Sequence, residues 1–590
     1  MRLAFVNKEN CKGGVDCNYI CMSVCPINRA KKDCITIAEN KKVNIDEKLC
    51  IGCGICVKRC PFNALSIINL PEELKIPIHR YGKNGFALYN LPTPESGKVV
   101  GILGRNAIGK TTALKIISGI IKPNFGKKEE FGYQELIKFF KGQEAQKFFE
   151  ELKNNRIRVS YKPQNIDQLP SIYDGKVLDL LKRVDERNLF EEIVEKLDLK
   201  NILERNIKEL SGGELQRVAI AATVLKRANL YIFDEPTSYL DINQRLRVAK
   251  FIKEMVSQET EKNITSVLVV EHDLLVLDYM SDLVYVFYGK SGCYGVVSMP
   301  KSTRQGINEY LEGFLREENM RIREKQIVFE EKPPVVFKRE EKLNSWKNIT
   351  KRLGSFSLEA KEGSLFKHQV VGVLGENGIG KTTFARIIAG EITPDSGNFE
   401  KVVVSYKPQY LAERMNALKE KRVLEIIPKK EDELTIQVIR NLEIPFLEMK
   451  KIGELSGGEL QRIAIVDCLL KEADIYLLDE PSAYLDVEER MIVAKTIRDF
   501  AQKTGKTFLV IDHDLLFLDS ISEALIVFSG EPSINGSLNG PLKMEEGMNL
   551  FLEKVGITLR RDVETKRPRI NKEESKKDRM QKGSGKYYYA

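Results

Sequence analysis

No stretch of the 590-residue chain approaches the ~18 consecutive apolar residues that a membrane span needs. The longest apolar patches, such as Ser266–Val270 and residues 274–277, are strand-length and bounded by charge. Residues 1–10 lack the apolar core of a secretory signal. Cysteine is almost absent beyond residue 60: nine of the eleven fall within the first 60 residues, and Cys293 and Cys468 stand alone. Clustered cysteines in such a chain favour metal over disulfides. The interior is also short of net charge. Of the total of +9, residues 1–75 carry +4 and residues 560–590 carry +6, which leaves −1 for everything between. Basic ends suit an acidic partner such as nucleic acid, or a solvated tail. A soluble, intracellular protein is expected, and an apolar fraction of 42% is ample for folded cores.

Two cysteine runs occupy the head. The second is Cys50-x2-Cys53-x2-Cys56-x3-Cys60-Pro61, with Gly52 and Gly54 between the thiols. The first is Cys11-x5-Cys17-x3-Cys21-x3-Cys25-Pro26, with wider gaps and the same ending. The second run has the spacing of bacterial ferredoxins that bind 4Fe–4S clusters, in which the cysteine before proline reaches the other cluster. That resemblance implies one cluster on Cys11, Cys17, Cys21 and Cys60, and another on Cys50, Cys53, Cys56 and Cys25. Cys34 lies in the apolar stretch 34–37 and reads as core rather than ligand. A pair of structural zinc sites is the rival, but zinc motifs do not require the doubled x3-Cys-Pro ending.

Behind the head, one ordered set of motifs occurs twice. The phosphate loops are Gly104-Arg-Asn106-Ala-Ile-Gly109-Lys110-Thr111-Thr112 and Gly375-Glu-Asn377-Gly378-Ile-Gly380-Lys381-Thr382-Thr383. Each follows an apolar strand and opens a helical pattern, the context in which backbone N–H groups cradle phosphates, lysine reaches the β/γ oxygens and threonine holds Mg²⁺. Gln164 and Gln409 follow, each after Lys-Pro. Then come Leu-Ser211-Gly-Gly213-Glu and Leu-Ser456-Gly-Gly458-Glu, Asp234-Glu235-Pro and Asp479-Glu480-Pro, Tyr-Leu-Asp241 and Tyr-Leu-Asp486, and His272-Asp and His513-Asp. This order resembles ATP-binding-cassette ATPases. The copies differ in that Gln164 comes 54 positions after Lys110 while Gln409 comes 28 positions after Lys381. The 26 extra residues lie near 126–154 and read as two short amphipathic helices around Gly142, carrying Tyr133, Leu136, Phe139, Phe140, Phe148, Phe149 and Leu152. They would pack on their own domain or dock a partner. Ala107 stands where the second loop has Gly378, so the first loop is expected to be the stiffer.

A second repeat lies outside the cassettes. Gly306-Ile-Asn and Gly547-Met-Asn each open an apolar helix 34 residues after their His motif. This argues for packed hinges, because a flexible linker would be rich in glycine and serine. The whole chain then resembles subfamily E of the cassette ATPases, the RNase L inhibitor family, on the head spacing, Tyr294-Gly-Val-Val-Ser-Met-Pro300, Ser-Tyr-Leu-Asp241, Ala-Tyr-Leu-Asp486 and Arg567-Pro-Arg569-Ile-Asn571-Lys572.

The expected fold is α/β: tandem cassette-type phosphate-loop ATPase domains behind a ferredoxin-like iron–sulfur domain, with hinge elements. The expected limits are 1–75 for the head, 76–292 and 346–530 for the cassettes, 293–345 for the first hinge, and 531–590 for the second hinge and a basic tail. The resemblance implies head-to-tail composite ATP sites. One joins Lys110, Thr111, Gln164, Asp234, Glu235 and His272 to Ser456 and Gly458. The other joins Lys381, Thr382, Gln409, Asp479, Glu480 and His513 to Ser211 and Gly213. Glu235 and Glu480 would orient or deprotonate water, held by His272 and His513, with Thr111, Gln164, Thr382 and Gln409 on Mg²⁺. Tyr81 and Phe86 are candidates to stack on adenine in the first copy, with Phe356 or Leu353 in the second. The resemblance further implies ribosome recycling with a release factor or Pelota, retention on the small subunit with its rRNA, and a link to initiation factors. An ATP-coupled electron-transfer protein is the rival from another class. A membrane transporter's motor ranks last.

Overall fold

The computed structural model describes residues 2–8, 10–69, 76–257, 265–329, 342–409, 411, 418–427 and 432–589. The expected limit at 75/76 and part of the first hinge, residues 330–341, involve positions outside these. Two compact units emerge. The first is Met1–Tyr239, Arg247–His272 and Met280–Lys325. The second is Leu240–Leu246, Asp273–Tyr279 and Gln326–Ala590. No helix among the described residues is long and apolar enough to cross a membrane.

The first unit opens with the head. Strand Arg2–Val6 pairs antiparallel with Leu65–Asn69, and Ile35–Ile37 pairs with Val43–Ile45. Two short helices, Ile20–Val24 and Ile55–Arg59, each stop at a cysteine followed by proline. Proline cannot continue the preceding helix, so Cys25 and Cys60 turn away at matched positions. The head rests on the first cassette. Leu3, Phe5, Ile68 and Cys293 form a buried cluster. Asn84 accepts from the Val6 amide at 3.1 Å and donates to the Ile45 carbonyl at 3.2 Å, while Arg80 pairs with Glu47 at 2.6 Å.

Each cassette is built on a large sheet whose centre is parallel. In the first, Val99–Gly104 lies between Leu283–Lys290 and Ser266–Val270, followed by Leu230–Asp234 and Val159–Lys162. In the second, Val370–Leu374 lies between Ala524–Glu531 and Thr507–Ile511, followed by Ile475–Asp479 and Val404–Lys407. These strands are nearly continuous apolar runs because helices cover both faces of a parallel sheet. Their carboxyl ends carry the phosphate loop, Gln164 or Gln409, Asp-Glu and the histidine motif, where ligands bind in such sheets.

The extra segment of the first copy forms helices Tyr133–Phe139 and Glu144–Lys153, with Gly142 between them in the left-handed region at φ +83°. Leu136, Phe140, Phe148, Phe149 and Leu152 sink into the same core as Ile102, Leu114 and Leu268. Phe140 and Phe149 stack at 5.6 Å between ring centroids. The aromatic face packs on its own domain and leaves only the edge at Phe139 exposed among these rings.

The repeated Gly-x-Asn elements are packed helices, Thr303–Glu312 and Met544–Val555. A Cβ at Gly306 would stand 3.2 Å from Val284, and one at Gly547 would stand 2.7 Å from Leu525, so both glycines let helix and strand close. The basic tail is folded, so of the two readings of its charge the solvated run does not hold. It forms a hairpin, Leu559–Arg561 with Pro568–Ile570, and helix Lys576–Ser584. Within the second unit, Arg567 is fully buried and meets Asp278 at 3.2 Å; Arg569 meets Asp278 at 2.7 Å and Asp562 at 3.2 Å. Asp519 stands six residues after His513, as Asp278 does after His272, and it accepts from Tyr588. Lys572, Lys576, Lys577, Arg579 and Lys586 keep the exposed positive charge.

Phe149→Ala is expected to destabilise the first cassette by about 3–5 kcal/mol. Phe139→Ala, at the exposed edge, should cost under about 1 kcal/mol. Calorimetric melting of the two variants checks both.

Candidate functional site

In the head, burial and then the neighbouring thiols Cys60, Cys17 and Cys11 push the Cys21 thiol up to about 12. Burial and then Cys50, Cys53 and Cys25 push Cys56 up to about 11. Cys60, Cys17 and Cys11 thus lie near Cys21, and Cys50, Cys53 and Cys25 near Cys56, with Cys34 beside Cys25 and Cys50. The Ala4 amide donates to Cys50 Sγ at 3.3 Å and the Ala64 amide to Cys60 Sγ at 3.4 Å, bonds that stabilise thiolate sulfur and tune an iron–sulfur centre. Gly52 has φ +63°, and a Cβ there would stand 2.7 Å from the Arg2 carbonyl oxygen, so the ligand loop hugs the first strand. A pocket is lined by Cys25, Cys50, Cys53 and Cys56, with Cys34 at its wall. The donor set fits thiolate-held iron–sulfur clusters. No three His, Cys, Asp or Glu side chains among the described residues close on a single metal ion.

The two nucleotide sites are near copies. Lys110 Nζ donates to the Gly104 and Arg105 carbonyls at 2.8 and 2.7 Å; Lys381 Nζ does so to Gly375 and Glu376 at 2.9 and 2.6 Å. Thr111 Oγ1 donates to Asp234 Oδ2 at 2.9 Å, and Thr382 to Asp479 at the same distance. Gln164 donates to Glu235 Oε1 at 2.6 Å and Gln409 to Glu480 at 2.7 Å. His272 Nε2 and His513 Nε2 each stand 3.5 Å from their glutamate. Glu235 and Glu480 both have φ +49°, the left-handed region that a non-glycine residue enters only under constraint. The protein thus brings lysine, threonine, glutamine, aspartate, glutamate and histidine of each copy together.

Ser211 and Ser456 cap helices Gly212–Val224 and Gly457–Leu469, so Gly213 and Gly458 sit in first turns with free N–H groups for an anion. Asp486 caps Val487–Thr504, and in the second unit Asp241 accepts from the Asn377 amide at 3.0 Å. Tyr81 is exposed and lies 3.3 Å from Thr112 Oγ1 through its hydroxyl. Phe86 instead packs against the first core beneath Gly109, and Phe356 takes the same place beneath Gly380. Tyr81 pairs with Phe86 through its amide at 2.9 Å, and Leu353 pairs with Phe356. Strand register thus sets Leu353 at the position of Tyr81.

The copies differ at the glutamate. Ser238 Oγ donates to Glu235 Oε2 at 3.2 Å, whereas the matching residue is Ala483. Burial pulls the Glu235 carboxyl up, but His272 and Lys110 hold it down at about 2. Burial, then Asp479 and Asp512, push Glu480 up to about 7. The sequence reading missed Lys162, Lys407, Gln216 and Gln461, which all reach the Asp-Glu backbone. Their presence at equal spacing in both copies was the available signal.

Two phosphate-loop sites on parallel sheets and a cysteine-rich head define a twin-cassette ATPase with an iron–sulfur domain. The family model "ABC transporter" matches residues 93–238 and 358–483, and "4Fe-4S binding domain" matches 43–66. The chain is 42% identical to ABC transporter E family member 1 of Arabidopsis thaliana, over 100% of this chain and 98% of the other. It is 48% identical to a chain solved in "Model of ribosome-bound archaeal Pelota and ABCE1", with TM-score 0.92 and 100% and 99% coverage. It is also 48% identical to a chain from a complex of archaeal ribosomal stalk protein with archaeal ribosome recycling factor, with TM-score 0.81 and 88% and 100% coverage. The chain belongs to subfamily E of the ATP-binding-cassette proteins, the RNase L inhibitor family.

Ala107 holds φ +56° where Gly378 holds +71°. Ala107→Gly should stabilise the apo protein by up to about 1 kcal/mol. Gly378→Ala should destabilise it by about 1–2 kcal/mol. Thermal melts without nucleotide decide both signs.

Proposed function

We propose that the chain is an ATP-driven ribosome-recycling factor of the cytoplasm. It splits post-termination or stalled ribosomes together with a release factor or Pelota, then stays on the small subunit where initiation factors assemble. One observation carries the mechanical part. The head is fastened through Asn84 and Arg80 to the turn that presents Tyr81, so the element beside the nucleotide also bears the head. The likeness to a ribosome-bound relative and to a recycling factor supports the load.

In this reading Lys110 and Lys381 neutralise the β/γ phosphates, and Thr111, Gln164, Thr382 and Gln409 hold Mg²⁺ behind Asp234 and Asp479. Tyr81 offers the adenine a ring, and Leu353 offers the second adenine an aliphatic surface. Glu235 and Glu480 orient or deprotonate the attacking water, with His272 and His513 at their flank. Ser456 and Gly458 complete the Lys110 site, and Ser211 and Gly213 complete the Lys381 site, when the cassettes close. Cys11, Cys17, Cys21 and Cys60 would hold one cluster, and Cys50, Cys53, Cys56 and Cys25 the other. When bound, the clusters tie loops together that this small head cannot fix with apolar contacts alone. Contacts to rRNA through exposed lysine and arginine make binding weaken as salt rises.

Matched ribosomes incubated with release factor, ATP and anaerobically purified protein should convert to subunits on a gradient. The Glu235→Gln, Glu480→Gln variant should stay bound to a ribosomal particle without turnover. Ribosomes that remain joined, with nothing co-sedimenting despite intact clusters and ATPase, would sink recycling and raise electron transfer to first place. Cys56→Ser should remove roughly half of the bound iron, read by iron analysis and visible absorbance.

A further inference from the structure

Each cassette buries a lysine behind its Asp-Glu peptide. Lys162 and Lys407 are essentially inaccessible to solvent. Lys162 Nζ donates to the Asp234 carbonyl at 3.0 Å and the Glu235 carbonyl at 3.2 Å. Lys407 Nζ donates to the Asp479 carbonyl at 2.6 Å and the Glu480 carbonyl at 3.2 Å. A buried glutamine from the helix that begins with Ser-Gly-Gly closes the same grip. Gln216 donates to the Glu235 carbonyl at 2.7 Å, and Gln461 to the Glu480 carbonyl at 2.5 Å. The carbonyls on both sides of the glutamate Cα are therefore pinned, and the Glu carbonyl accepts two donors.

The pinned residue is the strained one. A non-glycine residue at φ +49° is strained relative to ordinary backbone and persists where its surroundings over-determine it. Burying an ammonium against carbonyl oxygens, with its solvation lost, is itself unfavourable. An apolar side chain of the same length would fill the space without that penalty. The chain nevertheless places lysine there in both copies, three residues after the start of the same strand, Val159–Lys162 and Val404–Lys407.

We propose that Lys162 and Lys407 are positioning residues for ATP hydrolysis. Each ammonium, with its glutamine partner, locks the left-handed backbone of Glu235 or Glu480. The carboxylate is thereby aimed at Gln164 or Gln409 and the water between the strand ends. The inference rests on the reading of those glutamates as the groups that act on the attacking water.

The test uses the full chain with clusters intact and the double variant Lys162→Met, Lys407→Met, beside Glu235→Gln, Glu480→Gln. The readouts are kcat and KM for ATP, affinity for a non-hydrolysable ATP analogue, and melting temperature. Loss of aim should lower kcat about tenfold or more, while KM and analogue affinity stay within about twofold. Each ammonium also lies near buried carboxylates, Asp234, Glu235 and Glu271 in the first copy and Asp479, Glu480 and Asp512 in the second, so the melting temperature should fall while analogue binding holds. Lys162→Gln with Lys407→Gln, which keeps a donor, should recover part of the loss, and it is judged by the same criteria if the methionine variant does not fold. The inference is overturned if kcat stays within about twofold of wild type. It is equally overturned if kcat falls only together with analogue binding, which marks a structural role. Wild-type kcat in the glutamate variant would instead remove the reading on which the inference stands.

Discussion

A hydrogen bond joins the phosphate loop to the Asp-Glu strand in each nucleotide site, from Thr111 to Asp234 and from Thr382 to Asp479, at 2.9 Å in both. It spans 123 residues in the first copy and 97 in the second. The bond exists because the phosphate-loop strand and the Asp-Glu strand flank one shared neighbour in a parallel sheet, so their carboxyl ends finish level. Gln164 and His272 arrive on the next strand ends by the same rule, and their copies likewise. Sheet register sets the chemistry, and the helices around it mainly keep the sheet dry.

Duplication makes the differences informative. The two sites share their distances to within a few tenths of an ångström, yet the second copy has Ala483 in place of Ser238, Leu353 in place of Tyr81 and Gly378 in place of Ala107. One glutamate carries an extra hydroxyl donor, and the other meets two further carboxylates as its main electrostatic neighbours after burial. The sites are thus built alike and tuned apart. The inserted helices follow a different logic: they enlarge the first core and fill it with stacked rings.

Charge at the chain ends also has a structural use. The head's Glu47 takes Arg80 of the cassette, and the tail's Arg567 and Arg569 converge on Asp278. A buried arginine left without its carboxylate would be costly, so this tail is committed to its own fold. Lys572, Lys576, Lys577 and Lys586 keep their charge on the surface.

Motif order and spacing in the sequence alone determined the cassette fold, the duplication, the cysteine-rich head and nearly every residue that meets at the ends of the strands. Those signals are local: a glycine loop, a turn after a strand and a cysteine before proline each carry their own geometry. Tertiary structure decided what depends on register and burial. It put Leu353 opposite Phe356, sank Phe86 and Phe356 beneath their loops, and turned a basic run into a folded tail. It also placed Lys162 and Lys407 behind their glutamates, about 70 residues away in the chain. A lysine beside proline reads as a surface charge until the fold encloses it, because burial is a property of every neighbour at once and is written in no single motif.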